Sequence, residues 1–141
     1  MAQVSFYVIA GPLSVETLAC RLCRRVAIGA QTPLFVRLAT VDAIAVFDQL
    51  LWSFEADSFV PHAIHDGTPN ATYAPVQLGL AVPPDFAGCC LNLADDAVIA
   101  QTLTRVLEII GPDDAARTSG RTRFRAYRQQ GVAPETHTVS A

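Results

Sequence analysis

The sequence predicts a single α/β domain in which helices cover both faces of a mostly parallel sheet, and three observations predict it. Val4 to Ala10, VSFYVIA, is apolar at nearly every position and rich in strand formers, which suits a central strand buried on both faces rather than an amphipathic edge. Strand and helix patterns then alternate twice in succession, and two βα units in a row imply a parallel sheet with right-handed crossovers. With 141 residues, 51% of them hydrophobic, and no internal repeat, the chain carries enough apolar material for one core. The expected division is a folded unit over residues 1–131 and a loosely held tail over 132–141.

The elements follow from local chemistry. Gly11-Pro12 stops the first strand, Ser14 caps a helix, Glu16 favours its first turn, and Val15, Leu18, Ala19, Leu22, Cys23 and Val26 form one apolar face before Gly29. Leu34 to Leu38 is a second strand and Thr40 caps a second helix, whose buried stripe is Ile44, Phe47, Leu51 and Phe54. Asp66 to Ala74, DGTPNATYA, is turn chemistry and the expected mobile loop; it separates a short His62-Ala63-Ile64 from a strand at Pro75 to Ala81. Cys89 to Leu93 reads as another buried strand. Asp95-Asp96 open a short helix expected to end near Leu103; Arg105 to Ile110 could extend it, but its β-branched density and the Gly111-Pro112 stop favour a last strand. The final helix starts at Pro112-Asp113-Asp114 and runs to about Gly131.

Several classes of chemistry find no support. No stretch approaches the roughly 18 apolar residues of a membrane span, and MAQVSFYVIAG lacks the charged opening of a signal peptide, so the expected location is the cytoplasm. Cys20-x-x-Cys23 lies in mid-helix, and adjacent Cys89-Cys90 point to opposite faces of a strand. All four cysteines therefore read as small buried hydrophobes, not as metal ligands or disulfides. The first turn, Ala10-Gly11-Pro12-Leu13, has neither the dinucleotide fingerprint nor a phosphate-binding loop. His62 and His65 have no Asp, Glu or Cys at supporting spacing except Asp66, and a local hydrogen bond accounts for the Pro-His pair at least as well as a metal would. Ser14, Ser53 and Ser58 lack a nucleophile elbow. No catalytic residue, cofactor or metal is expected.

Two surfaces remain. Trp52 falls about 120° from the centre of its helix's buried stripe, so it needs a different neighbour. Together with Phe59, Val60 and Pro61 it either folds back on the domain's own core or forms a partner-binding patch. The second surface is basic. The net charge is −3, but Arg117, Arg121, Arg123, Arg125 and Arg128 occur with no acid between them, whereas the chain before Arg117 has five arginines against twelve acids. Arg117, Arg121, Arg125 and Arg128 lie within about 80° on the last helix, with Phe124 beside them. Such a stripe suits an acidic peptide with an apolar end, or a nucleic-acid backbone with a stacked base; otherwise it is a solvated face paired with nearby acids.

Leu51-Trp52 and Ser58-Phe59-Val60-Pro61-His62 resemble the central signature of the chi subunit of bacterial DNA polymerase III. Arg121-Thr122-Arg123-Phe124-Arg125-Ala126-Tyr127-Arg128, followed by Gly131, is similar to that family's closing motif. Phe6-Tyr7, Pro75 to Leu78, Leu91-Asn92-Leu93 and Arg105 to Ile110 match its other blocks in order, so the similarity covers nearly the whole chain. The resemblance implies a Rossmann-like α/β fold and a noncatalytic accessory subunit. Trp52, Phe59, Val60 and Pro61 would face the clamp loader through the psi subunit. Ile110, Arg117, Arg121, Phe124, Arg125, Tyr127 and Arg128 would hold the acidic C-terminal tail of single-stranded DNA-binding protein, with any DNA contact indirect or weak. The end, Thr136 to Ala141, departs from the family in lacking a closing aromatic, although His137 remains. The rival reading is a domain that binds nucleic acid directly through the same helix.

Overall fold

A computed structural model describes residues 2–54, 60–65 and 74–140. Its strands are β1 (Gln3–Ile9), β2 (Leu34–Arg37), β3 (His62–Ile64), β4 (Val76–Gly79), β5 (Gly88–Asn92), β6 (Leu103–Ile110) and β7 (Glu135–Val139), and its α-helices are α1 (Val15–Cys23), α2 (Val41–Ser53) and α3 (Asp114–Gln129). One seven-stranded sheet holds the described strands in the order β3-β4-β2-β5-β6-β1-β7, and every neighbouring pair is parallel. The helix starts follow the caps: Ser14 Oγ accepts from Thr17 N–H at 3.1 Å, Thr40 Oγ1 from Ala43 N–H at 3.0 Å, and Asp113 Oδ1 from Ala116 N–H at 2.7 Å. Beyond Cys23, α1 widens into a π-helical turn, Arg24–Gly29.

A parallel sheet must be covered on both faces, and here two cores do so. Leu18, Leu22, Phe47 and Leu51 of α1 and α2 pack on Ile9, Val36, Leu91 and Leu107, while Tyr127 of α3 packs with Phe6, Phe35, Cys90 and Val106 on the opposite face. Cys89 belongs to the first core and Cys90 to the second, as strand alternation requires. All four cysteines are buried free thiols. Burial pushes Cys20 and Cys89 up to about 11 and Cys90 up to about 12, so none is a ready nucleophile. No described helix is long and apolar enough to cross a membrane.

Two expectations are corrected. Asp95 to Leu103 is not a helix, because the groups that would build its first turn are taken by distant side chains. The Asp96 carbonyl accepts from Arg37 at 2.9 Å and from Asn92 at 2.8 Å, and Val98 N–H donates to the Tyr127 hydroxyl at 3.0 Å. The tail is not loose either: Glu135–Val139 is β7, paired with β1 from Ser5↔Glu135 to Ile9↔Val139. Its Thr and Val content favours the pleat, and His137 stacks on Tyr7 with ring centres 5.3 Å apart. The expected loop at Asp66 to Ala74 lies almost wholly outside the described residues.

β1 and β6 are neighbours, yet the chain leaves β1 for α1 on one face and β6 for α3 on the other. That reversal opens a crevice at the carboxyl ends of the strands, between the two helical layers.

Candidate interaction site

α3 divides its side chains among three directions. Gly120, Arg123 and Tyr127 face the sheet and are buried. Arg117, Arg121, Arg125 and Arg128 are exposed, and Phe124 lies at the boundary, half-buried against Phe6 with ring centres 5.2 Å apart. Ile110 ends β6 directly beneath the helix. A Cβ on Gly120 would sit 2.6 Å from Ile110 Cδ1, so any larger residue there would require the Ile110 side chain or the helix to shift. The result is an apolar step, Phe124 and Ile110, beside a row of guanidinium groups.

Among the described residues, no carboxylate forms an ion pair with Arg117, Arg121, Arg125 or Arg128. This bears directly on whether the row is a self-neutralised solvated face. An unpaired cationic row retains its field for a partner, which local pairing would have cancelled.

Arg123 behaves differently from its four neighbours. Its Nε donates to Glu108 Oε1 at 2.9 Å and its Nη1 to Ser119 Oγ at 2.6 Å. Glu108 is fully buried in β6 and also accepts from the Tyr127 hydroxyl at 2.6 Å and from Asn92 Nδ2 at 2.9 Å. Burial drives the Glu108 carboxyl above the ordinary carboxylate range, against the pull of Arg123 and of the hydrogen bonds from Tyr127 and Asn92. The Tyr127 phenol is likewise pushed up, by burial first and then by the Glu108 charge. These bonds tie α3 to β6 and β5 in one rotation, and that rotation aims the arginine row outward.

Tyr127, expected among the ligand-contacting residues, is only 2% exposed, with its hydroxyl committed to Glu108 and Val98; it supports the surface from below and does not line it. Glu108, Asn92 and Ser119 were not singled out from sequence. A carboxylate set among Val106, Leu107, Ile109 and Ile110 of β6 was the available signal, since a buried carboxylate needs a partner.

The second expected surface is partly described. Trp52, in the last turn of α2, is 52% exposed, and its ring lies 4.7 Å from that of His62 in β3. His62 Nδ1 is 2.7 Å from the Val60 carbonyl, which is the local bond expected for the Pro-His pair, and Nε2 lies 3.0 Å from Asp48 Oδ1. Val60 is fully buried, so its side chain is not part of a free patch, whereas Pro61 is half-buried. Phe59 lies outside the described residues.

A family model described as DNA polymerase III chi subunit, HolC, matches residues 1–135. The chain is similar to the DNA polymerase III subunit chi of Pseudomonas aeruginosa, with 33% identity over 141 residues that cover 97% of this chain and 96% of that protein. It is also similar to the DNA polymerase III subunit chi of Haemophilus influenzae, with 24% identity over 130 residues that cover 90% and 89% of the two chains.

Proposed function

Given that the chain belongs to the chi-subunit family of DNA polymerase III, we propose that it links the clamp loader to the acidic C-terminal tail of single-stranded DNA-binding protein. Membership makes it a replication subunit with partners in the polymerase complex. In the finer reading it has no active site of its own: the psi subunit, or another clamp-loader protein, engages Trp52 with Phe59 and Pro61, and α3 holds the tail.

The observation that carries the tail assignment is the unpaired arginine row beside Phe124 and Ile110. The field of the row attracts an acidic segment, and the apolar step supplies a pose that charge alone does not define. Burying ~100 Å² of a terminal apolar side chain there stabilises the complex by about 2.5 kcal/mol, and an arginine on the terminal carboxylate adds about 1.5 to 3. After the tail is ordered, the affinity falls near micromolar.

Titration calorimetry tests this with an acidic peptide ending in an apolar residue and a free carboxylate. Arg121→Ala, Arg125→Ala and amidation of the peptide each weaken binding about tenfold. Equal affinity for the free and amidated peptides would mean that the row reads charge in general. Direct binding of a nucleic-acid backbone would then become the better reading.

A further inference from the structure

We propose that the crevice at the carboxyl ends of β5 and β6, between α1, α2 and α3, is a third docking surface that takes a basic, amphipathic helical segment of a partner protein. The crevice has a volume of about 590 Å³. Most of its wall is apolar: Val15 and Ala19 from α1, Val46 and Leu50 from α2, Leu93 after β5, and Ala116 from α3. Val46 is 62% exposed there, an apolar side chain left in water at the lip of a concave site.

Charge selects the occupant. Glu16, Asp95 and Asp113 line the crevice, and Arg123, the cation in its wall, is already paired with Glu108. Arg37, next to the same floor, is paired with Asp96 at 2.8 Å. The helix N-termini that open onto the crevice contribute about half a positive charge each, which offsets the three acids only in part. An apolar anchor flanked by lysine or arginine fits; an acidic segment does not.

Backbone chemistry selects the conformation. β5 and β6 are each paired on both sides, so no free sheet edge opens into the crevice. An extended segment would leave its amides unsatisfied against helical walls, whereas a helix satisfies its own and presents anchors one turn apart. The surface is independent of the arginine row. Ala116, Ser119 and Arg123 lie about 160° around α3 from the centre of that row, so the helix serves two unlike partners on opposite flanks.

Fluorescence anisotropy on the full-length chain tests the proposal with a labelled leucine–lysine helical peptide of about 14 residues and its leucine–glutamate counterpart. The lysine peptide is expected to bind and the glutamate peptide not to. Ala115→Trp, which fills the crevice from an exposed position, should weaken binding about tenfold, and Glu16→Gln with Asp95→Asn about fivefold. Asp85→Asn, an exposed acid outside the crevice, should leave it unchanged. The acidic tail peptide should bind Ala115→Trp as it binds the wild type, so the two assignments fail separately. Equal binding of both peptides, or full affinity in Ala115→Trp, overturns the proposal. So does a self-associating chain that Ala115→Trp renders monomeric in sedimentation, since the occupant would then be a second copy.

Discussion

Arg123 Nε lies 2.9 Å from Glu108 Oε1, which makes the one inward-facing arginine of the C-terminal cluster the fastener for the four that face outward. Glu108→Leu removes the partner and leaves a buried guanidinium held only by Ser119. The expected loss is about 3–5 kcal/mol in urea unfolding, because an uncompensated buried charge costs more than the pair contributes. Replacing both residues by methionine should restore most of it. If the double variant is as unstable as the single one, the pair is not the unit.

Tyr127→Phe separates support from contact. It removes the hydroxyl shared by Glu108 and the Val98 amide, and the expected cost is about 1–3 kcal/mol. Tail-peptide affinity at a temperature where the variant is fully folded should stay within about twofold. A tenfold loss there would return Tyr127 to the binding surface.

The two carboxylates of the network should respond to pH with opposite signs. Burial raises Glu108 above its ordinary value of 4.5, so its contribution is fully present below that pH and is lost as pH rises through its folded value. Asp96 is held below 3.8, chiefly by the Arg37 hydrogen bond, so its contribution is present above that pH and is lost as pH falls. It is mostly exposed, and its effect is small. Relative to Glu108→Gln, the wild type should gain stability on acidification toward pH 4.5; relative to Asp96→Asn it should lose stability below pH 3.8. Urea midpoints across pH decide both, and parallel curves in either comparison refute that half.

Gly120→Ala tests the close approach of α3. Alanine favours a helix by about 1 kcal/mol, but its Cβ would stand 2.6 Å from Ile110 Cδ1 and 2.8 Å from Cγ1. Overpacking of this kind costs about 1–3 kcal/mol, so the net expectation is a modest loss that Ile110→Ala relieves. A stabilised Gly120→Ala in thermal unfolding would show that the helix can lift without penalty.

Trp52→Ala should weaken capture of a clamp-loader partner while leaving tail-peptide affinity unchanged, since the two surfaces lie on different elements. Surface plasmon resonance with psi and with the peptide reads the two effects apart. Loss of both would point to a shared structural defect.

Much of this architecture was legible because the relevant signals are local. Caps at Ser14, Thr40 and Asp113, the stop at Gly11-Pro12 and the apolar run of β1 each specify their own element. The arginine row was legible from helical period alone, and the same period puts Tyr127 with Gly120 on the buried face. Asp95 to Leu103 was misread because Arg37, distant in sequence, decides where the Asp96 carbonyl goes. β7 was missed because its pairing partner is β1, at the other end of the chain. The role of Glu108 depends on Arg123, Tyr127 and Asn92 converging on it from other elements, which no local pattern specifies.

The position of β1 also sets an order of events during synthesis. Of the described strands, β1 is made first, yet it lies between β6 and β7, which are made last, with Gln3 beside Arg105 and Ser5 beside Glu135. Val4, Phe6 and Ile9 therefore have no native sheet neighbour until residues 103–110 have emerged, and closure waits on contacts of about 100 residues' separation. An apolar segment held open for that interval is a natural substrate for chaperones that bind nascent extended chains, and it should be the first part of this protein to aggregate when translation stalls short of residue 103.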